Sequence, residues 1–177
     1  MAQVLQEAGL ATLLMDLLTR DEEAFDAHTA ALRFDIELLA RRLVETTRWL
    51  LDQPRTSHLR VGYFGASTGA AAALVAAAEL PDLVAAVVSR GGRPDLAGKA
   101  LQHVVAPTLL IVGGKDWTVF KLNRRALAEL AGEKRLEIVA GAGHLFEEPG
   151  ALETVARLAK NWLGRHLSHK IDDTEAA

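Results

Sequence analysis

Cysteine is absent from the 177 residues, which excludes disulfides, thiolate metal sites and a cysteine nucleophile. An excess of positive charge is absent too. The 20 Lys and Arg against 23 Asp and Glu leave a net charge of −3, so there is no electrostatic footprint for nucleic acid or for an anionic membrane surface. No apolar run approaches the ~20 residues of a bilayer span. The opening MAQVLQEAGLATLLMDLL has no basic segment ahead of its apolar residues and is broken by Glu7 and Gly9, unlike a secretory signal. The expectation is a cytoplasmic protein with neither nucleic acid nor membrane as partner. Internal repeats and low-complexity linkers are missing, and serine is scarce, at four residues.

What remains is a chain that is 50% hydrophobic, enough for one core, and it predicts a single domain over 1–168 with a polar tail, 169–177. Short runs of Val, Ile and Leu alternate with longer segments of helical period, the pattern of βαβ units. Strands are expected at 11–17, 59–64, 83–89, 107–114 and 135–140, each apolar on both faces as buried parallel strands tend to be. Between them the periodicity predicts helices within 34–53, where Ile36, Leu39, Leu43, Trp49 and Leu50 gather on one side, and at 68–80, 94–103 and 121–131. A last helix follows at 150–167. The fold class is therefore α/β, with a parallel sheet of about five strands flanked by helices.

One of the four serines sits where strand becomes helix. The stretch LRVGYF-GASTG-AAAALVAAAEL is a buried strand, a G-x-S-x-G pentapeptide and a helix, the order of a nucleophile elbow. Neighbours without bulk at Gly65 and Gly69 let a strained turn project the Ser67 hydroxyl. The helix that follows aims unpaired N–H groups and its positive dipole end at charge developing on a substrate oxygen. The bland alternative is a serine that merely caps the next helix.

A serine hydroxyl needs a base to take its proton and a carboxylate to orient that base. Asp116 follows a Gly-Gly turn at the end of strand 107–114, and His144 follows another glycine-rich turn after strand 135–140. Loops leaving the carboxyl ends of parallel strands open on one edge of the sheet, which would gather Ser67, Asp116 and His144. The alternatives are a turn aspartate and a surface histidine.

Across residues 4–167 the chain resembles the α/β-hydrolase superfamily, and within it dienelactone hydrolase-like enzymes, especially a hydrolase domain found alone or fused to a phosphoribosyltransferase. The matching stretches are EAGLATLLMDLLT, LRFDIELLARRL, GYFGASTGAAAALVAAA, VVSRGGRPDLAG, APTLLIVGGKD and GAGHLFEEPGALE. The resemblance implies Ser67 as nucleophile, Asp116 as the acid that orients the base, and His144 as the base. Serine in place of the cysteine used by dienelactone hydrolases proper points toward ester hydrolysis. The resemblance also implies strands ahead of a helix near residues 2–8, one of which ends in a loop that donates an N–H to the oxyanion hole. This chain opens inside that helix. The N–H of Thr68 remains one donor, and the segment after strand 11–17 offers Leu18 or Thr19 as a candidate second.

Arg90 and Arg93, beyond a strand end, are candidates to bind a substrate carboxylate or phosphate; solvated surface arginines are the competing reading. Trp117 and Phe146 flank the acid and base as candidate apolar walls, or as ordinary packing. The cluster Asp21, Glu22, Glu23, Asp26 and His28 reads as a solvated loop and helix start rather than a metal site, and His58, His103, His166 and His169 are given no chemistry. The expected activity is a carboxylesterase for small, short-chain esters, with no metal or organic cofactor and no large lid. Alternatives are a catalytically impaired interaction or accessory module and an acyltransferase. The simplest arrangement pairs strand 11–17 directly with 59–64, leaving one sheet face covered chiefly by helix 150–167. That cover looks too small, so a homodimer burying the exposed face is expected.

Overall fold

The computed structural model describes residues 1–168; the tail expected over 169–177, with His169, lies outside them. The chain forms α1 (Ala2–Glu7), α2 (Arg20–Thr29) and α3 (Ile36–Asp52) before the first strand, β1 (Val61–Ala66). There follow α4 (Thr68–Glu79), β2 (Val84–Arg90), a kinked 3₁₀ segment (Pro94–His103), β3 (Thr108–Gly113), α5 (Trp117–Glu129), β4 (Lys134–Val139) and α6 (Ala151–Leu167). The four strands are parallel, in the order β1-β2-β3-β4, and Tyr63, Val87, Thr108 and Lys134 form one row across the sheet. All four carboxyl ends therefore meet on one edge.

Each face of the sheet buries its own core. On one side Tyr63, Val87 and Leu110 pack with Leu39 and Val44 of α3, Leu74 of α4 and Ala126 of α5. The alanines of α4 explain its position: Ala70 to Ala73, Ala76 and Ala77 are essentially inaccessible, and only so small a side chain lets a helix backbone lie this close to strands. On the other side Val88, Leu109 and Ile111 meet Val155, Ala159, Trp162 and Leu163 of α6, with Leu5 of α1.

Several expectations need correction. Residues 11–17 form no strand, so the sheet has four strands rather than about five. The cause lies at the two ends of the segment. Leu10 packs into the core on the α6 side and Leu17 and Leu18 into the core on the α3 side, so the chain between them must pass from one face of the sheet to the other. A segment that crosses a sheet edge cannot also run along it in a ladder, and Leu14 is left 79% exposed. The face expected to be under-covered is not: Ala86, Val88, Leu109 and Ile111 are at most 2% exposed beneath α6 and the loop bearing Phe146. That removes the premise of an open sheet face. Trp49 lies off the buried stripe of α3, which is Leu39, Ala40, Val44 and Thr47. Helix α5 begins four residues earlier than expected, because the side chain of Asp116 caps it by accepting the Val119 N–H.

Candidate active site

Ser67 occupies the single residue between β1 and α4, at φ 50° and ψ −125°. A positive φ at a residue with a side chain is strained, by ~1–3 kcal/mol. The hydroxyl makes no capping hydrogen bond to α4, which removes the reading of Ser67 as a helix cap. Its carbonyl is tied down instead, accepting N–H groups from Ala70 at 3.2 Å and from Arg93 at 3.0 Å. Arg93 is in turn steadied by Asn123, a fully buried residue of α5 whose amide donates to the Gly92 carbonyl at 3.0 Å.

The two glycines of the pentapeptide have different reasons. A Cβ at Gly65 would stand 2.5 Å from the Gly69 carbonyl oxygen and 2.7 Å from Ala70 Cα, so β1 and α4 touch through it. A Cβ at Gly69 would meet nothing closer than Leu17 Cδ1 at 3.8 Å, an ordinary contact. The expectation that both must lack bulk to let the turn form is corrected for Gly69. Thr68 is the first residue of α4, so its N–H has no partner within the helix.

Asp116 and His144 are held together. His144 Nδ1 lies 2.7 Å from Asp116 Oδ2, while Asp116 Oδ1 accepts the Val119 N–H at 3.2 Å. Each carboxylate oxygen thus has one task. Asp116 is mostly shielded, whereas the His144 side chain is 44% exposed. Two backbone bonds stitch the turns that carry them, Gly114 N–H to Val139 O and Lys115 N–H to Ala142 O, both 2.9 Å. Gly113 is required for this approach, since a Cβ would stand 2.3 Å from the Gly143 carbonyl oxygen. Glu148 closes the base loop by accepting the Gly143 N–H at 2.9 Å, and that bond is the first cause holding its carboxyl below the usual range. Sequence reasoning missed Glu148.

His144 packs over Gly91, whose Cβ position is 3.1 Å from the His144 carbonyl oxygen and 3.8 Å from Nδ1. Gly91 follows Arg90, the residue paired with Ala66 just ahead of Ser67. Ser67, Asp116 and His144 thus converge on one edge, with no direct hydrogen bond between Ser67 Oγ and His144 in this structure.

The remaining candidates divide. Leu18, with Leu17, borders a cavity of about 210 Å³ that Thr68 and Gly69 also line, so this segment does lie beside the elbow. Trp117 projects from the start of α5, 67% exposed, edge-on to Phe120. Phe146 is no wall: at φ 58° its ring turns inward, 1% exposed, into the core under α6. Arg90 lies over that ring, 5.6 Å from its centroid, with Nη1 3.5 Å from the Leu145 carbonyl, and burial pushes its guanidinium pKa down. Arg93 is committed to Asp95 through two bonds of 2.9 and 2.8 Å. In the acidic cluster, Thr19 and Glu22 form a capping box for α2, and the buried Asp26 is taken up by Leu32 N–H, Arg33 N–H and the Arg33 guanidinium. Among the described residues no group of acidic and histidine side chains is arranged to hold a metal, and no helix is long and apolar enough to cross a membrane.

Known proteins agree with this architecture. A dienelactone hydrolase from Anabaena variabilis, solved by crystallography, is 64% identical, with a TM-score of 0.92 over 94% of this chain and 77% of that one. A dienelactone hydrolase-like promiscuous phosphotriesterase from metagenomic libraries shares the fold at 17% identity and a TM-score of 0.70, over 94% of this chain and 79% of that one. Two Mycobacterium tuberculosis proteins named as putative phosphoribosyl transferases are 62% identical over 166 residues. Those residues are 94% of this chain and 37% of each relative, so the chain spans little more than a third of their length. Residues 1–168 match the model of the dienelactone hydrolase family, and the chain belongs to that family.

Proposed function

We propose that this chain is a serine hydrolase that cleaves small, short-chain carboxylic esters through an acyl-enzyme on Ser67. The observation that carries the reading is the strained, uncapping Ser67 on the same sheet edge as a hydrogen-bonded His144–Asp116 pair. His144 takes the hydroxyl proton as Ser67 Oγ attacks the ester carbonyl, and Asp116 holds the ring and stabilises the imidazolium. The Thr68 N–H, at the positive end of α4, holds the oxyanion; Leu18 N–H is the proposed second donor. Collapse of the adduct expels the alcohol, which takes the proton from His144. Water then attacks the acyl-enzyme with His144 again as base, releasing the acid and restoring Ser67. The exposure of His144 suits an open site, and Trp117 is a proposed contact for the alcohol or acyl group. No cofactor takes part in this scheme.

The test is hydrolysis of p-nitrophenyl acetate and butyrate by the wild type and by Ser67→Ala, with fluorophosphonate labelling alongside. Label on Ser67, turnover abolished in the variant and rates that fall on acidification, as His144 becomes protonated, are expected. Equal rates in the two proteins and no label would replace this reading with a hydrolase-fold interaction module. Faster release of p-nitrophenol with an added alcohol, together with the new ester as product, would mark an acyltransferase.

A further inference from the structure

The cavity beside the elbow is lined by three leucines, by the charged Asp16, Glu23 and Arg33, and by Thr68 and Gly69. Leu39 of α3, 3% exposed, forms its floor, and Leu17 and Leu18 form its side. Thr68 and Gly69 also line it, so it adjoins the peptide that follows Ser67. Nothing in the packing of α4 demands Gly69. Glycine is unfavourable in a helix relative to alanine, the next four positions are all alanine, and a Cβ at Gly69 would reach only Leu17 Cδ1 at 3.8 Å. What the missing methyl does leave is room in the cavity.

Charge at the mouth narrows the occupant. Asp16, Glu23 and Arg33 stand there, but the Arg33 guanidinium is already engaged, its Nε on Asp26 Oδ2 and its Nη2 on the Asp26 carbonyl. Two carboxylates without a free cation repel an anionic group. At ~30 Å³ for each water in the liquid, the volume of about 210 Å³ corresponds to roughly seven water-sized groups, room for a hexanoyl chain. We infer that this cavity receives the uncharged acyl chain of the ester, and that Gly69 sets the length of chain it accepts. The inference rests on Ser67 being the nucleophile.

Rates on p-nitrophenyl acetate, butyrate and hexanoate, as kcat/KM, test it in the wild type, Gly69→Ala and Leu17→Ala. A methyl in an apolar pocket is worth about tenfold in discrimination at the low end. The hexanoate-to-acetate ratio should therefore fall about tenfold in Gly69→Ala and rise in Leu17→Ala, which widens the same cavity. Wild type should also prefer butyrate to the mono-p-nitrophenyl ester of succinic acid, which has the same number of acyl carbons and ends in a carboxylate. Ratios that stay within twofold of wild type in both variants, or that move in the same direction in both, overturn the acyl cavity while leaving Ser67 as nucleophile. A succinyl ester cleaved as well as butyrate overturns the charge argument. A wild type inert toward every ester and unlabelled by fluorophosphonate overturns the Ser67 reading and this inference with it.

Discussion

Replacing each glycine of the elbow by alanine in turn should separate packing from space. At Gly65 the new methyl would stand 2.5 Å from the Gly69 oxygen, 2.7 Å from Ala70 Cα and 2.8 Å from Ala70 N. All three atoms are backbone of the first turn of α4, so no side chain can swing aside. An ordinary contact begins near 3.4 Å, and the first turn must retreat by about 0.9 Å. Overpacking of this kind costs ~1–3 kcal/mol, which at ~2–4 °C per kcal/mol for a chain of this size is several degrees of Tm. The same retreat carries Thr68 and Ser67 away from His144, and a displacement of ~1 Å at a reacting group costs about 10²-fold in rate. Gly65→Ala should therefore lose stability in urea or thermal unfolding and about two decades of kcat. Gly69→Ala meets no clash and gains helix propensity, so its stability should stay level or rise by up to ~1 kcal/mol. Equal stability losses in the two variants, or a Gly65→Ala protein as stable as wild type, would refute the reasoning.

Three further outcomes follow from the structure. Asp116→Asn keeps the cap of α5, because asparagine caps as well as aspartate, but its amide presents the wrong partner to His144 Nδ1; kcat should drop by about 10⁴ while circular dichroism and Tm hold. The hydrogen bond from Arg42 is the first cause lowering Glu22 from 4.5 to about 2. A depressed carboxyl contributes stability that is complete above pH 4.5 and lost as pH falls toward 2. Glu22→Gln, which can still serve the capping box, should flatten that part of a pH titration of stability. Self-association is expected through a different surface from the one the sequence suggests: the exposed Leu13, Leu14 and Met15 and the unpaired edge of β1. Light scattering at micromolar concentration should give twice the 19.1 kDa of the chain, and Leu14→Glu should reduce it to one; a wild type that is monomeric removes the dimer.

Most of the architecture was legible because apolar period and glycine placement act locally. The runs around Val61–Ala66 and Thr108–Gly113 can only be strands buried on both faces, and Asp116 and His144 sit after glycine turns at strand ends, where chemistry is exposed. The segment 11–17 misleads for a physical reason. Its composition suits a strand, but a strand exists only with a ladder partner, and Leu10, Leu17 and Leu18 are drawn to opposite faces. Asp116 does carry a visible cap signal ahead of Trp117, which would have placed the start of α5 correctly. The inward turn of Phe146 depends on a backbone dihedral, and the closure of the base loop by Glu148 on a fold of the chain five residues long; neither leaves a periodic trace.

The stitching of the turn after β3 to the turn after β4 has a mechanical consequence. With Gly113 pressed on Gly143 and two backbone bonds between the turns, Asp116 and His144 ride on one body, while Ser67 rides on β1 and α4. The bodies are joined through β2 and through the Arg93 N–H to Ser67 carbonyl link. In the proposed mechanism, the gap between Ser67 Oγ and the far nitrogen of His144 is therefore a distance that no bond in this structure fixes.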